Sequence, residues 1–329
     1  MSLRIIKAGI ADTLQDMGRY GWQHLGINPT GAMDKFAAAM ANVLVGNSPQ
    51  APVIEMHFPA SVFLIQQPTL LALAGADFAA TINGEALSPN QPVIVNKNCV
   101  IQFHKPKKGA RAYMAVHGSY DIPLWMNSYS THLKAKAGGF HGRTLQKDDE
   151  IIINPLFDFS SLVAGKDWLV IPWQADAGWS DVSSDEIFFL PGNEWDWLTE
   201  EAQENFMEQN FVITPDADRM GYRLSAEILN SKVKEELIST AVNFGTVQLL
   251  PDGRLILLMA DHQSTGGYPR IAHVISAHHS RLAQMKPGNQ IRFRTTSQET
   301  AEELLRKQYQ HISLLENSCQ LKLKELLHA

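Results

Sequence analysis

The chain has 329 residues, 45% hydrophobic and 19% charged, the composition of a water-soluble globular protein long enough for two domains. Its formal net charge of -6 argues against nucleic acid as the main partner, since phosphate backbones select basic surfaces. No apolar run suits a membrane helix and no signal-peptide core opens the chain, so a cytoplasmic protein is expected, and Cys99 and Cys319 offer neither a disulfide framework nor zinc spacing.

In chain order, Ile5-Ile6-Lys7-Ala8 predicts an opening strand. A polar stretch follows, in which Asp16 and Arg19 either pair across a turn or join Gln15 in a polar site. Apolar residues at Phe36, Ala39, Met40, Val43 and Leu44 predict a short amphipathic helix, with Asp34 as its N-cap and Gly46 closing it. Asn42 near its end reads as a capping residue. From Val53 to Ile153 the pattern changes to short runs rich in β-branched and aromatic residues, at 62–65, 70–74, 78–82, 93–95, 100–103 and 112–116. Asn83-Gly84 is a hairpin signal between two of them, and the regular spacing predicts an antiparallel barrel or sandwich. This half ends on Gly138-Gly139-Phe140-His141-Gly142-Arg143. The glycines serve either a tight turn or an anion cradle with Arg143 as its fork-shaped partner.

Prolines punctuate Phe157 to Trp173, which places a boundary there and gives units 1–155 and 156–296, then a C-terminal helix 297–329. Residues 187–192 predict a strand and turn, and Glu194 to Phe206 predicts a helix with Trp195, Leu198, Ala202 and Phe206 on one face. Asp218-Arg219-Met220-Gly221-Tyr222-Arg223-Leu224 is a charged hairpin strand, or a pair of guanidiniums suited to a carboxylate or phosphate. After an apolar strand at 254–259 comes Asp261-His262-Gln263-Ser264-Thr265-Gly266-Gly267-Tyr268-Pro269-Arg270. Its glycine pair can bring bare N–H groups close to a ligand, so the stretch reads as a binding loop at a strand end. The histidines between 262 and 279 lack metal-ligand spacing, and no metal is expected. Thr296 and Glu299 predict a capping box for a long helix with Ala301, Leu304, Leu305, Gln308, Ile312 and Leu315 on one face.

Six ordered motifs carry a resemblance. They are Gln15-Asp16-x-Gly18-Arg19-x-Gly21, Gly31-Ala32-Met33-Asp34, Ala41-Asn42-x-Leu44-Val45-Gly46-Asn47, Gly138-Gly139-x-x-Gly142-Arg143, Arg219-Met220-Gly221-Tyr222-Arg223-Leu224 and Gln263-x-Thr265-Gly266-Gly267-Tyr268-Pro269. Together, from about residue 4 to residue 294, they resemble the allophanate hydrolase subunit 2 family. That family includes the C subunit of bacterial ATP-dependent 5-oxoprolinase, the KipA partner of the kinase inhibitor KipI, and half of the carboxyltransferase region of urea carboxylase. The chain departs from the family pattern at His117-Gly118-Ser119-Tyr120, Asp148-Asp149 and Ala217-Asp218, which bears on substrate more than on fold.

The resemblance implies a mainly β protein of two cyclophilin-like β-barrel domains plus a C-terminal helix. It implies a complex with a KipI-like B subunit and a LamB/YcsF-like A subunit that opens the 5-oxoproline lactam to glutamate with ATP as co-substrate. The isolated chain is expected to be inactive, and exposed stretches of a subunit lacking its partner favour self-association. Such a site needs guanidiniums for phosphate, donors for an oxyanion and a carboxylate for proton traffic. The implied assignments give Arg143, Arg219 and Arg223 to anion binding, Gln263 with the Gly266 and Gly267 amides to the oxyanion, and Asp16 or Asp261 to the base. Gln15, Arg19, Tyr222, Thr265 and Tyr268 complete the implied binding set. Two rival readings are a carboxyltransferase component served by biotin on another protein, since no biotin-attachment Met-Lys-Met occurs here, and a non-catalytic KipA-like partner.

Overall fold

Residues 2–180, 184–233 and 237–328 are described in a computed structural model, without the side chains of 180 and 328. The chain is mainly β. In its first half a seven-stranded sheet runs in the spatial order Ser119–Tyr120, Glu150–Asn154, Ser2–Lys7, Val62–Ile65, Val100–Phe103, Ala80–Ile82, Glu85–Ala86. A six-stranded sheet runs Trp168–Val170, Pro92–Val95, Thr69–Asp77, Lys108–Val116, Val53–His57, Thr13–Gln15. One apolar cluster joins them, with Leu3, Ile5, Phe63 and Ile101 from the first sheet and Ile54, Met56, Leu71 and Met114 from the second. Asn83 and Gly84, both at positive φ, turn the hairpin between Ile82 and Glu85 as their sequence predicts.

Strand alternation decides what lies on the other side of the six-stranded sheet. Val53, Ala72, Ala74, Tyr113 and Ala115 face away from the first cluster and pack in a second one with helix α1 (Lys35–Leu44). Asp34 caps α1 by accepting from the Ala37 amide at 2.9 Å, and Gly46 follows the helix at φ 77°. The predicted amphipathic character is lost to tertiary packing. Every residue from Phe36 to Leu44 is buried, because helix α4 (Gln298–His328) covers the side of α1 that the sheet leaves open. Small alanines at 37, 38, 39 and 41 let α1 sit close to both neighbours.

The second half closes. Seven strands form a barrel in the order Glu186–Pro191, Arg270–Val274, Thr246–Leu249, Leu255–Leu258, Gly221–Ser225, Phe211–Ile213, Gln290–Thr295. A parallel pairing of the last with the first seals it. The expected helix at 194–206 is split: Trp195–Trp197 is a 3-10 turn, Leu198 is extended, and Thr199 caps helix α2 (Glu200–Glu208). Helix α3 (His279–Gln284) is not foreseen by periodicity, since six residues give too few turns for a pattern.

Two boundaries differ from expectation. Trp168–Val170 pairs with Val93, Ile94 and Val95 of the first half, so the chain leaves that sheet well after residue 155. The cap of α4 is Ser297, whose hydroxyl accepts from the Thr300 amide at 3.2 Å, one residue beyond the predicted Thr296. Helix α4 packs on the first half through Ile312, Cys319 and Leu323.

The exposed and the buried cap should cost differently. Ser297→Ala loses one exposed bond and should lower stability by about 0.5–1 kcal/mol. Asp34→Ala strips acceptors from the buried Ala37 amide and from Gln284 Nε2, and should lower it by about 3 kcal/mol. Urea unfolding of the two variants checks this; equal losses would mean that Asp34 is no more than a helix cap.

Candidate functional site

Where the halves meet, charged side chains lie out of solvent. Glu55 interrupts the apolar strand Val53–His57 and is fully buried. Thr13 and Tyr113 are its register neighbours on the two flanking strands. The Tyr113 hydroxyl and the Met33 amide both donate to Glu55 Oε2, at 2.9 and 2.8 Å. Oε1 accepts from Arg219, which the second half presents just before its strand Gly221–Ser225. Arg219 also holds both oxygens of Asp261, Nε to Oδ2 at 2.9 Å and Nη2 to Oδ1 at 3.0 Å, and donates to the Gly31 carbonyl at 2.6 Å.

Opposed effects fix the charge states. Burial pushes Glu55 upward, but Arg219, then His57 and Arg111, outweigh it and hold the carboxyl below the usual Glu range. Burial likewise pulls Arg219 down, while Asp261 and Glu55 raise it above the ordinary arginine value. Both groups remain ionised. Tyr113, buried beside Glu55 and Asp34, is held well above the ordinary phenol value and stays a hydrogen-bond donor.

A second chain of bonds runs parallel to this one. Gln284 of α3 donates to Asp34 Oδ2 at 2.8 Å and to the Arg111 carbonyl at 3.0 Å, and accepts from the Ala110 and Arg111 amides. The Arg111 guanidinium donates to the Tyr222 hydroxyl at 2.9 Å and to the Ala283 carbonyl at 2.5 Å. These contacts tie the barrel to the six-stranded sheet.

Between the halves lies a cavity of about 520 Å³, a size that suits a small ligand. Arg111, Arg219, Tyr222 and Asp261 line it together with the apolar side chains of Phe58, Phe78 and Met285. Lys134 and Lys286, both exposed, stand at its edge with Asp218. Four cations, Arg111, Arg219, Lys134 and Lys286, and two carboxylates, Asp218 and Asp261, are on this lining, and the Arg219 charge is already met by Asp261 and Glu55. Asn28, His57 and His132 complete the polar part. Burial, and then the charge of Arg111, pushes His57 down to about 4, so it is neutral at neutral pH.

Of the residues the sequence singled out, the structure brings Arg219, Tyr222 and Asp261 to this cavity and sends the others elsewhere. Asp16, proposed as a base, is saturated: Oδ1 accepts from Gly18 N and the Ser128 and Ser130 hydroxyls, and Oδ2 from Tyr129 N at 2.6 Å. Arg19 is buried, bonds Thr30 and the Ser130 carbonyl, and lies 4.4 Å from the Trp125 ring centroid. It does not pair with Asp16 in a bond seen among the described residues. Gln15 bonds Thr13 and the Thr131 carbonyl. Gly138 and Gly139 are required by close packing on Ser130 and Thr131, where a Cβ would sit 2.3 and 1.9 Å from their oxygens. Arg143 is bidentate to Asp149 at 2.7 and 2.8 Å, a loop clasp.

Arg223 is exposed, because alternation on its strand turns it outward as Tyr222 turns inward. Thr265–Gly266 is a short strand paired with Thr240–Ala241, and a Cβ at Gly266 would meet the end of the Gln248 side chain at 2.5 Å. Gln263 is partly buried and its carbonyl meets the His262 ring, while Gly267 is close to the 237–239 segment and Tyr268 is exposed. None of Gln263, Thr265, Gly266, Gly267 and Tyr268 lines the cavity. Sequence reading missed Glu55, Arg111, Tyr113, His57 and Gln284. Glu55 left a usable signal, a carboxylate inside the apolar run Val53-Ile54-Glu55-Met56.

The depressed His57 has a consequence for acid stability. Its folded value of about 4 lies below the unfolded value of 6.5, so between these values the unfolded chain binds the proton and the folded chain does not. Its contribution is complete above pH 6.5 and is lost as pH falls toward 4, to a total on the order of 3 kcal/mol. Asp12, pushed up to about 6 by burial, works in the opposite sense and favours folding as pH falls over the lower part of that range. His57→Gln should therefore lose less stability than the parent chain between pH 7 and 4 in urea titrations; parallel pH profiles would contradict the assignment.

Comparison with known proteins agrees with this architecture. The chain is similar to the C subunit of 5-oxoprolinase from Haemophilus influenzae, 33% identical over 90% of this chain and 91% of that one. It is similar to the corresponding 5-oxoprolinase protein of Escherichia coli, 35% identical over 91% of this chain and 93% of that one. Its fold matches the crystal structure of the Kluyveromyces lactis urea carboxylase with a TM-score of 0.87 at 24% identity, over 97% of this chain. This chain spans only 29% of that much longer protein. Residues 25–295 match the profile of the carboxyltransferase domain, subdomain A and B. With a family match over most of its length and relatives above 30% identity along nearly the whole chain, the protein belongs to the carboxyltransferase domain (subdomain A and B) family.

Proposed function

We propose that this chain is the C subunit of an ATP-dependent 5-oxoprolinase, working with a KipI-like B subunit and a LamB/YcsF-like A subunit in the cytoplasm. The observation that carries the reading is the interface cavity, where Arg111, Lys134 and Lys286 and an Asp261 carboxylate oriented by Arg219 suit a small anionic amide. The near end-to-end similarity to two 5-oxoprolinase C subunits supports it. The substrate carboxylate is drawn to Lys134 and Lys286, and its ring lies against Phe58, Phe78 and Met285.

Lactam opening needs the carbonyl carbon activated toward water and the ring nitrogen expelled from it. Transfer of the terminal phosphoryl group of ATP to the amide oxygen gives ADP and a phosphorylated imidate. Water adds to its carbon, the adduct collapses with C–N cleavage and protonation of the ring nitrogen to leave an acyl phosphate, and a second water hydrolyses that to glutamate and phosphate. Of the two carboxylates on the cavity lining, Asp261 is the one held in a fixed orientation by Arg219, through two bonds. It orients the ring nitrogen or the water as the C–N bond breaks. The guanidinium and glycine groups that the sequence offered to phosphate, Arg143 and Gly138-Gly139, are engaged within the chain. We therefore assign ATP to a site completed by the partner subunits, and the isolated chain to no turnover.

A second reading is carboxyl transfer from biotin carried by another protein, and the family match to a carboxyltransferase domain favours it. Co-expression with the neighbouring A-like and B-like subunits separates the two. The first reading predicts ATP- and 5-oxoproline-dependent glutamate release that needs all three chains, is indifferent to avidin, and falls at least about a hundredfold in Asp261→Asn. A stable complex with no glutamate release, or release abolished by avidin, would move the assignment to carboxyl transfer.

A further inference from the structure

The two arginines of the cavity wall differ in how their charges are met. Arg219 touches two carboxylates, Glu55 and Asp261. Arg111 is only 7% exposed, yet among the described residues its guanidinium bonds neutral oxygens alone. Nη1 donates to the Tyr222 hydroxyl at 2.9 Å and to the Ala283 carbonyl at 2.5 Å. Nε is shut off from solvent and has no acceptor. Nη2 is neither shut off nor bonded to a described residue, and the side chain forms part of the cavity wall. Nη2 is thus the charged donor that Arg111 leaves to whatever occupies the cavity.

Buried charges persist where they are paired. The carboxylates of the network are already committed: Glu55 accepts from Arg219, Tyr113 and the Met33 amide, and both Asp261 oxygens from Arg219. An anionic ligand supplies the partner that the chain does not. Arg111 is also set before any ligand arrives. Its backbone is clasped by Gln284, which accepts from the amide at 3.2 Å and donates to the carbonyl at 3.0 Å, and Nη1 fixes the guanidinium. Lys134 and Lys286 are exposed, so they steer an anion to the mouth and hold it weakly.

We propose that Arg111 Nη2 is the anion anchor of this cavity, donating to a carboxylate oxygen of a small ligand whose apolar part lies among Phe58, Phe78 and Met285. This rests on the cavity being the substrate site and deepens that reading: the lysines attract the substrate carboxylate and Arg111 fixes it. One free guanidinium nitrogen suits a monoanionic carboxylate better than a phosphate dianion, whose further oxygens would need further desolvated donors. Lactams without the carboxylate are discriminated against, because they leave the guanidinium unpaired.

The test is calorimetric titration of the full-length chain. The probes are 5-oxoproline, 2-pyrrolidinone (the ring without the carboxylate), cyclopentanecarboxylate (a carboxylate without the lactam) and inorganic phosphate. The parent chain should bind 5-oxoproline at least about tenfold more tightly than 2-pyrrolidinone. Arg111→Met should abolish that preference and leave 2-pyrrolidinone within about twofold. Arg111→Lys, which keeps a charge, should retain part of the preference and guards against a Met variant that does not fold. Lys134→Ala with Lys286→Ala should weaken 5-oxoproline by no more than about threefold and remove most of the salt dependence.

Arg111-dependent binding of cyclopentanecarboxylate, with none of 5-oxoproline, supports the anchor and removes the substrate. Binding of 5-oxoproline equally by the parent and Arg111→Met overturns the anchor and spares the substrate. Loss of both lactams alike in Arg111→Met would show that Arg111 only holds Tyr222 and α3 in place, and overturns the proposal. Tighter Arg111-dependent binding of phosphate than of either carboxylate, or no binding of any probe at saturating concentration, also overturns it.

Discussion

One guanidinium, that of Arg219, holds acceptors from three separate stretches of the chain: Glu55, the Gly31 carbonyl and Asp261. Two of these belong to the first half and one to the second. Charges buried in this way are costly, and they persist only when each is paired and the remaining lone pairs are met. Here Tyr113 and the Met33 amide complete Glu55, and Asn28 donates to the Asp261 carbonyl. The network therefore fixes how the barrel meets the sheet. The cavity between them is a consequence of that angle.

The same constraint accounts for the local sequence. Tyr113 has to stand opposite Glu55 to reach it, so the register of Lys108–Val116 on Val53–His57 is set by a polar pair as well as by the apolar face. Asp34 caps α1 and also receives Gln284, which links the start of that helix to the end of α3. Met33, just before the cap, packs into the core of the second half. Two adjacent residues, Met33 and Asp34, thus join helix, sheet and barrel.

How much of this was legible in the sequence depended on range. Local signals read well: the Asp34 cap, Gly46 after α1, the Asn83-Gly84 hairpin, and the long helix with Gln308 and Ile312 facing inward. Site residues read less well, because a glycine-rich polar loop has the same composition whether it binds a ligand or packs tightly on its neighbours. Gly138-Gly139 proved to be a place where the Ser130-Thr131 segment comes too close for a Cβ. Asp16 and Arg143 were drawn into loops that they hold together. The residues that do meet in the cavity come from positions as far apart as Ala11 and Met285, and no spacing rule connects them. Resemblance supplied the family, while geometry chose among its motif residues.

For function, the division of labour that follows is asymmetric. On the proposed function this chain contributes the cavity with a neutral imidazole and a carboxylate oriented by Arg219, and the ATP site belongs to partner subunits. All of it depends on the Arg219 network setting the two halves and, through them, that cavity. The most direct measurement is a double-mutant cycle of Glu55→Gln and Arg219→Met in urea unfolding of the full chain. Each single change should cost about 3–5 kcal/mol, since each strands a buried charge, and the pair together should cost about 2–3 kcal/mol less than their sum. Single losses below about 1 kcal/mol that simply add would contradict this, and would leave the two halves set by apolar contact and by the Gln284 and Arg111 hydrogen bonds.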